Sequence, residues 1–255
     1  MSAILSDDLQ TWQPVIHLEQ VGKNFGQQVV LLDITLDVWP GEIVALLGTS
    51  GCGKSTLLNL ISGLLTADHG DIQLQGESVK QFRHWQQLGY LFQEDRLLPW
   101  RTVLQNVIFG IENISLSRNE RRDRARAALA LTGMSGSEDK WPHQLSGGMR
   151  SRVALARSLV AEPQILLMDE PFSKLDPNTR SVMHDELLRI RALKKMSVVM
   201  VTHDVEEAVV LADRIIILQP NPGQIKQVTP VVLPHPRLPT GRDVTEQVRQ
   251  LRMAL

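Results

Sequence analysis

Apolar and polar residues alternate in short runs from Val15 to Val38, interrupted at Gly22 and Gly26 and closed by Trp39-Pro40-Gly41. Alternation with glycine punctuation predicts antiparallel strands. The pattern then changes. Ile43 to Leu47 is uninterrupted apolar sequence, as a strand buried on both faces requires, and Thr56 to Leu65 has helical character. Ser117 to Met134 predicts a second helix: Ser117 and Glu120 form a capping box, and Ala127, Leu129, Ala130 and Leu131 supply an apolar face. A helix over Met149 to Val160 leads through Pro163 into a strand over Ile165 to Met168, and another over Thr179 to Leu193 precedes a strand over Ser197 to Val201. Strands alternating with helices predict an α/β core with a largely parallel sheet, to which the early antiparallel strands and the Leu97 to Gly148 helices are additions. After Gln219 the chain is rich in proline (220, 222, 230, 234, 236, 239) and ends in a short polar helix, too short for another domain. No internal repeat is present.

Composition narrows the function classes. With 255 residues, 43% hydrophobic and 22% charged, the chain has the material for a large core. A formal net charge of -1 leaves no basic excess to hold a phosphate polymer, and the arginines at 118, 121, 122, 124 and 126 suit a solvated helix face. No nucleic-acid partner is expected. Cys52 is the only cysteine, so an intrachain disulfide is excluded; it sits in a glycine-rich loop as a spacer. Apolar runs such as Val198 to Val201 fall far short of the roughly 18 residues that span a bilayer. Met1 to Pro14, with Asp7, Asp8 and Trp12, lacks a secretory pattern and is expected to be an untargeted lead-in.

Three motifs carry chemistry. Gly48-Thr49-Ser50-Gly51-Cys52-Gly53-Lys54-Ser55 fits G-x-x-x-x-G-K-[ST] at every fixed position, between a predicted strand and a predicted helix. Its glycines let backbone N–H groups converge on a phosphate, Lys54 adds positive charge, and the Ser55 hydroxyl suits magnesium. Ile165 to Met168 ends in Asp169-Glu170. At the C-terminal edge of a parallel sheet, Asp169 is placed to serve a magnesium shell and Glu170 to orient or deprotonate a water attacking a γ-phosphate. Leu145-Ser146-Gly147-Gly148-Met149 precedes a helix, so its free N–H groups form a second anion site with the helix dipole behind it.

In order and spacing, Gly48 to Ser55, Leu145 to Met149 and Met168-Asp169-Glu170-Pro171 resemble the motifs of ABC transporter nucleotide-binding subunits, from about Val15 onward. The resemblance implies a P-loop NTPase fold with an antiparallel β subdomain and an inserted α-helical subdomain. It implies one ATP-binding domain over 15–220, with the helical part at about 94–157, and a short tail over 221–255 without a regulatory domain. It also implies ATP hydrolysis with Mg2+. Gly48 to Thr56, Ser146, Gly147, Gly148 and Asp176 would bind nucleotide, and Phe25 would stack on adenine. Ser55, Gln93 and Asp169 would serve the metal, while Glu170, Gln93 and His203 would act in hydrolysis, Gln93 also sensing the membrane partner. Because the signature of one subunit closes over the ATP of another, the resemblance implies a head-to-tail dimer, probed through a Glu170→Gln variant.

Leu91-Phe92-Gln93-Glu94-Asp95-Arg96-Leu97-Leu98-Pro99-Trp100 resembles the stretch found in importers of nitrate, sulfonates, taurine and related solutes, with Leu97 to Trp100 near the permease groove. The implied partners are a second ATP-binding subunit, a multispanning permease and an extracytoplasmic solute-binding protein, with the chain held at the cytoplasmic face of the membrane through the permease. Ser173-Lys174-Leu175-Asp176 departs from the Gly-Ala-Leu-Asp usual there, and Lys174 is expected to pair with an acid across the dimer interface or to slow hydrolysis. The same tetrad imitates the guanine-reading N-K-x-D, so a GTPase is one alternative, beside an exporter subunit and a soluble ABC ATPase. The solute itself is not legible.

Overall fold

The computed structural model describes residues 13–255, so the lead-in over Met1 to Pro14 lies, up to position 12, outside the described residues. The first described elements are β1 (Ile16–Phe25) and β2 (Gln28–Val38), an antiparallel pair joined by a tight turn at Gly26. Next come β3 (Ile43–Leu47), α1 (Lys54–Ile61), β4 (His69–Leu74), β5 (Glu77–Ser78) and β6 (Leu88–Leu91). Three helices follow, α2 (Val103–Phe109), α3 (Arg118–Leu131) and α4 (Gly147–Leu159), before β7 (Ile165–Asp169). The remainder is α5 (Pro177–Lys194), β8 (Ser197–Val201), α6 (Val205–Leu211), β9 (Arg214–Gln219), β10 (Gln224–Pro230) and α7 (Arg242–Ala254).

Two sheets form. One is antiparallel, in the order β2-β1-β4-β5; the other runs β10-β9-β3-β8-β7-β6, parallel throughout except for β10 at its edge. The continuous apolar runs follow from this layering, because successive side chains of a strand point to opposite faces. On β3, Ile43, Ala45 and Leu47 enter the core shared with α2 to α7, while Val44 and Leu46 enter the core shared with α1 and the antiparallel sheet. Leu166 and Met168 of β7 divide from Ile165 and Leu167 in the same way. Each fully buried Leu or Ile contributes about 1.5–3 kcal/mol, so neither face can be made polar without loss of the fold.

Helix ends are fixed by the side chains that the pattern singles out. Ser117 and Glu120 form the reciprocal capping box at α3, and Ser146, Asp176 and Asp204 accept backbone N–H bonds at the starts of α4, α5 and α6. Such caps contribute about 1 kcal/mol each. Gly22 does not end a strand: β1 continues through it with shifts of register, and a Cβ there would overlap the His69 ring. Helix α1 stops at Ile61, short of Leu65, because the chain turns left-handed at Gly63, whose missing Cβ makes room for Trp85. The terminal helix is amphipathic, with Val244, Val248 and Leu251 buried at i, i+4 and i+7.

Residues 221–255 pack on the core. Gly223 exchanges backbone hydrogen bonds with Val30 and Leu32, and a Cβ there would stand 2.3 Å from the Cys52 carbonyl oxygen. The turn between β9 and β10 therefore backs the glycine-rich loop.

Candidate functional site

Strands β3, β6, β7 and β8 all run the same way, and their C-terminal ends lie level, with Leu46 opposite Val201 and Met168 opposite both Leu91 and Met200. Each strand releases one candidate segment there: β3 the Gly48 to Ser55 loop, β6 Gln93, β7 Asp169 and Glu170, β8 His203. Open parallel sheets bind ligands at this edge.

The loop is built around absent side chains. A Cβ at Gly48 would come within 2.6 Å of the Leu218 carbonyl oxygen, and one at Gly53 within 2.5 Å of Leu31. Gly53 also has φ +97 and so turns the chain directly into α1, which begins at Lys54. The Lys54 ammonium crosses the loop and donates to the carbonyls of Gly48 (2.8 Å) and Thr49 (2.9 Å). Thr49, Ser50, Gly51 and Ser55 are exposed, Thr56 is partly covered in the first turn of α1, and Cys52 is buried, as a spacer should be.

Ser55 donates through Oγ to Asp169 Oδ1 at 3.0 Å. Burial raises the Asp169 carboxyl above its ordinary value, against the Ser55 hydrogen bond, and the neighbouring Glu170 charge adds to the rise. A hydroxyl and a desolvated carboxylate side by side form an oxygen pair that fits a small hard dication, which would relieve the cost of ionising Asp169.

Glu170 has φ +45, unusual for a residue with a side chain, and its N–H donates to Val201 on the neighbouring strand at 3.0 Å. Gln93 donates through Nε2 to Glu170 Oε2 at 3.0 Å, and His203 Nδ1 lies 3.4 Å from the same oxygen. Ser173 donates through Oγ to the Glu170 carbonyl at 2.9 Å. In the same stretch as Gln93, the Tyr90 and Phe92 rings stack 4.2 Å apart, with the Arg96 guanidinium 3.9 Å over Phe92.

The remaining candidates lie apart from this cluster. Phe25 is 49% exposed at the tip of the β1–β2 hairpin, with the Lys23 ammonium 5.5 Å from its ring centre. A core phenylalanine would be covered; this one presents a free face. Ser146 and Gly147 are exposed at the start of α4, where Ser146 caps Met149, and Gly148 lies against Thr179. Arg150 links this turn to the β6 side, donating to the Leu145 carbonyl at 3.0 Å and to Asp95 at 2.9 Å. Asp176 accepts from the Thr179 N–H at 3.0 Å. Among the described residues, no hydrogen bond joins Phe25, Asp176 or the Ser146 to Gly148 turn to the Lys54, Asp169 and Glu170 group. Arg180, His184, Asp204 and Glu207 pack behind Glu170 and His203, and none of the four was assigned a role in the site from the sequence.

The family model described as ABC transporter matches residues 31–173. The chain is 42% identical to an uncharacterized ABC transporter ATP-binding protein of Methanocaldococcus jannaschii, covering 96% of this chain and 91% of that one. It is 45% identical to an aliphatic sulfonates import ATP-binding protein of Xanthomonas axonopodis, over 87% of this chain and 88% of the relative. Among solved structures it resembles the dimeric bacterial ABC transporter cassette MJ0796, with TM-score 0.76 and 31% identity over 85% of this chain and 98% of that one.

Proposed function

Because the chain belongs to the ABC transporter family as an ATP-binding, ATP-hydrolysing subunit, we propose that it powers an importer of a small oxyanionic solute, such as a sulfonate, nitrate or taurine. The observation that carries the hydrolytic part is the seat of the Glu170 carboxylate. It lies between Gln93 and His203, one residue from the Asp169 that Ser55 binds. In this reading Lys54 and the loop N–H groups hold the β- and γ-phosphates, Phe25 stacks on adenine, and Ser55, Asp169 and Gln93 would hold Mg2+. The ion would offset the charge of the phosphate oxygens. Glu170 orients and deprotonates the attacking water, and His203 contacts the γ-phosphate.

Residues 15–220 form the ATP-binding domain in this reading, with about 94–157 as its helical part; the insertion of α2 to α4 between β6 and β7 supports that division. The Ser146 to Gly148 turn serves the ATP of a second copy, so two chains close head to tail over two nucleotides. A multispanning permease carries the solute across the membrane in this reading; among the described residues of this chain, no helix is long and apolar enough to cross one. A solute-binding protein outside the membrane would deliver the solute.

Reconstitution tests the importer reading. In vesicles with its multispanning permease partner, the chain should hydrolyse ATP faster when a solute-loaded binding protein is added. ATP-driven movement of solute away from the face that carries the ATP-binding chain, or turnover indifferent to any membrane partner, would contradict it.

A further inference from the structure

Helix α5 runs behind the Glu170 and His203 pair, and two of its side chains, one turn apart, enter the seam between the segments that carry them. Arg180 donates through Nη2 to the Leu175 carbonyl at 3.1 Å, and its Nη1 lies 3.4 Å from Asp204 Oδ2. His184 Nε2 lies 3.1 Å from Glu207 Oε1, and its ring meets Phe172 edge-on with centres 5.0 Å apart. Each side chain thus touches one residue of the Glu170 to Asp176 stretch and one of the His203 to Glu207 stretch. Arg180 also lines a polar cavity of about 20 Å³ together with Glu170, Ser173, Thr202 and His203. It stands next to the hydrolytic pair without a hydrogen bond to either member.

We propose that Arg180 is a positioning residue for ATP hydrolysis, holding the Glu170 and His203 segments in register; this rests on the reading of Glu170 as the hydrolytic carboxylate. Glu170 and His203 leave the sheet on different strands, and the direct ties between their segments are the Glu170 N–H to Val201 bond and the 3.4 Å side-chain approach. A displacement of about an ångström at such a pair lowers turnover while leaving phosphate binding in the glycine loop intact. Arginine suits the task because its planar fork serves a carbonyl and a carboxylate at once, which a lysine ammonium cannot do in the same fixed geometry. Asp204 divides its oxygens to match: Oδ1 accepts from the Glu206 N–H at 2.9 Å to start α6, leaving Oδ2 for Arg180.

The test uses the full chain with Arg180→Met, Arg180→Lys, Asp204→Asn and the Met/Asn double variant. Steady-state turnover is measured beside ATP affinity and melting temperature. Asparagine retains the α6 cap but removes the charge that faces Arg180. Arg180→Met is expected to lower kcat about tenfold with ATP affinity changed by less than about twofold, Arg180→Lys to fall between it and wild type, and the double variant to be no slower than the slower single. Wild-type kcat in Arg180→Met, a parallel fall of kcat, ATP affinity and melting temperature, or additive losses in the double variant would overturn the proposal. A Glu170→Gln control separates the two failures: full turnover in that variant would instead remove the reading of Glu170 on which the proposal depends.

Discussion

Lys174 Nζ lies 3.6 Å from Glu94 Oε1, so the cation that sets the Ser173 to Asp176 turn apart meets an acid of its own chain, the residue after Gln93. The pair joins the stretch that follows Glu170 to the stretch that contacts it. Both side chains are mostly exposed, 63% and 72%, which places the bond among surface ion pairs contributing about 0–1 kcal/mol and weakened by salt.

From that geometry, Lys174→Ala should hydrolyse ATP about two- to threefold faster than wild type at low salt, because the tie between the Gln93 and Glu170 stretches is released, and the difference should vanish toward about 1 M salt. Turnover measured across a salt series checks this. Identical rates throughout would show that the pair has no part in hydrolysis.

Phe25→Ala removes an exposed ring that no core packing needs, so its melting temperature should stay within about 2 °C of wild type. Adenine stacking contributes about 1–3 kcal/mol, so ATP affinity should drop about five- to a hundredfold, and Phe25→Trp should restore it. Equilibrium titration with a fluorescent ATP analogue gives the answer; unchanged affinity for Phe25→Ala would rule out stacking.

The hairpin end that presents Phe25 is anchored by Asp68, which accepts from the Asn24 N–H at 2.6 Å and from Lys23 at 2.9 Å. The Asn24 N–H and, after it, the Lys23 hydrogen bond hold the Asp68 carboxyl below its ordinary range. A pKa lowered by folding adds stability above the unfolded-state value, and that stability is lost as pH falls through the folded-state value. Asp68→Asn should therefore melt below wild type at neutral pH, with the gap closing below about pH 4. Melting curves from pH 3 upward test the sign, and a gap that widens in acid would refute it.

The sequence carried most of the site because its chemistry is local. A phosphate loop, a strand ending in two acids and a glycine-rich helix start are each written within eight residues, and β3 and β8 appear with the bounds that their apolar runs predict. What escaped depends on long-range packing. Tyr90 and Phe92 look like ordinary strand residues until β6 pairs with β7 and brings Gln93 to Glu170. Arg180 is one arginine among many on helices, and only the fold brings Leu175 and Asp204 to it. Gly223, in the proline-rich tail, has no local sign that it backs Cys52. Lys174 was legible as an anomaly, expected to pair across an interface or to slow hydrolysis, while its contact with Glu94 of the same chain depends on the fold.

In the proposed dimer each chain holds two half-sites, Lys54 with Glu170 on one surface and the Ser146 to Gly148 turn on another. Light scattering of Glu170→Gln with ATP and Mg2+ reports on this dimer, since stalled hydrolysis should accumulate the closed pair. The scattering mass should double on adding ATP, and Glu170→Gln carrying Ser146→Arg should bind ATP yet stay monomeric. A Glu170→Gln protein that stays monomeric in saturating ATP, or a dimer indifferent to Ser146→Arg, would rule out paired half-sites.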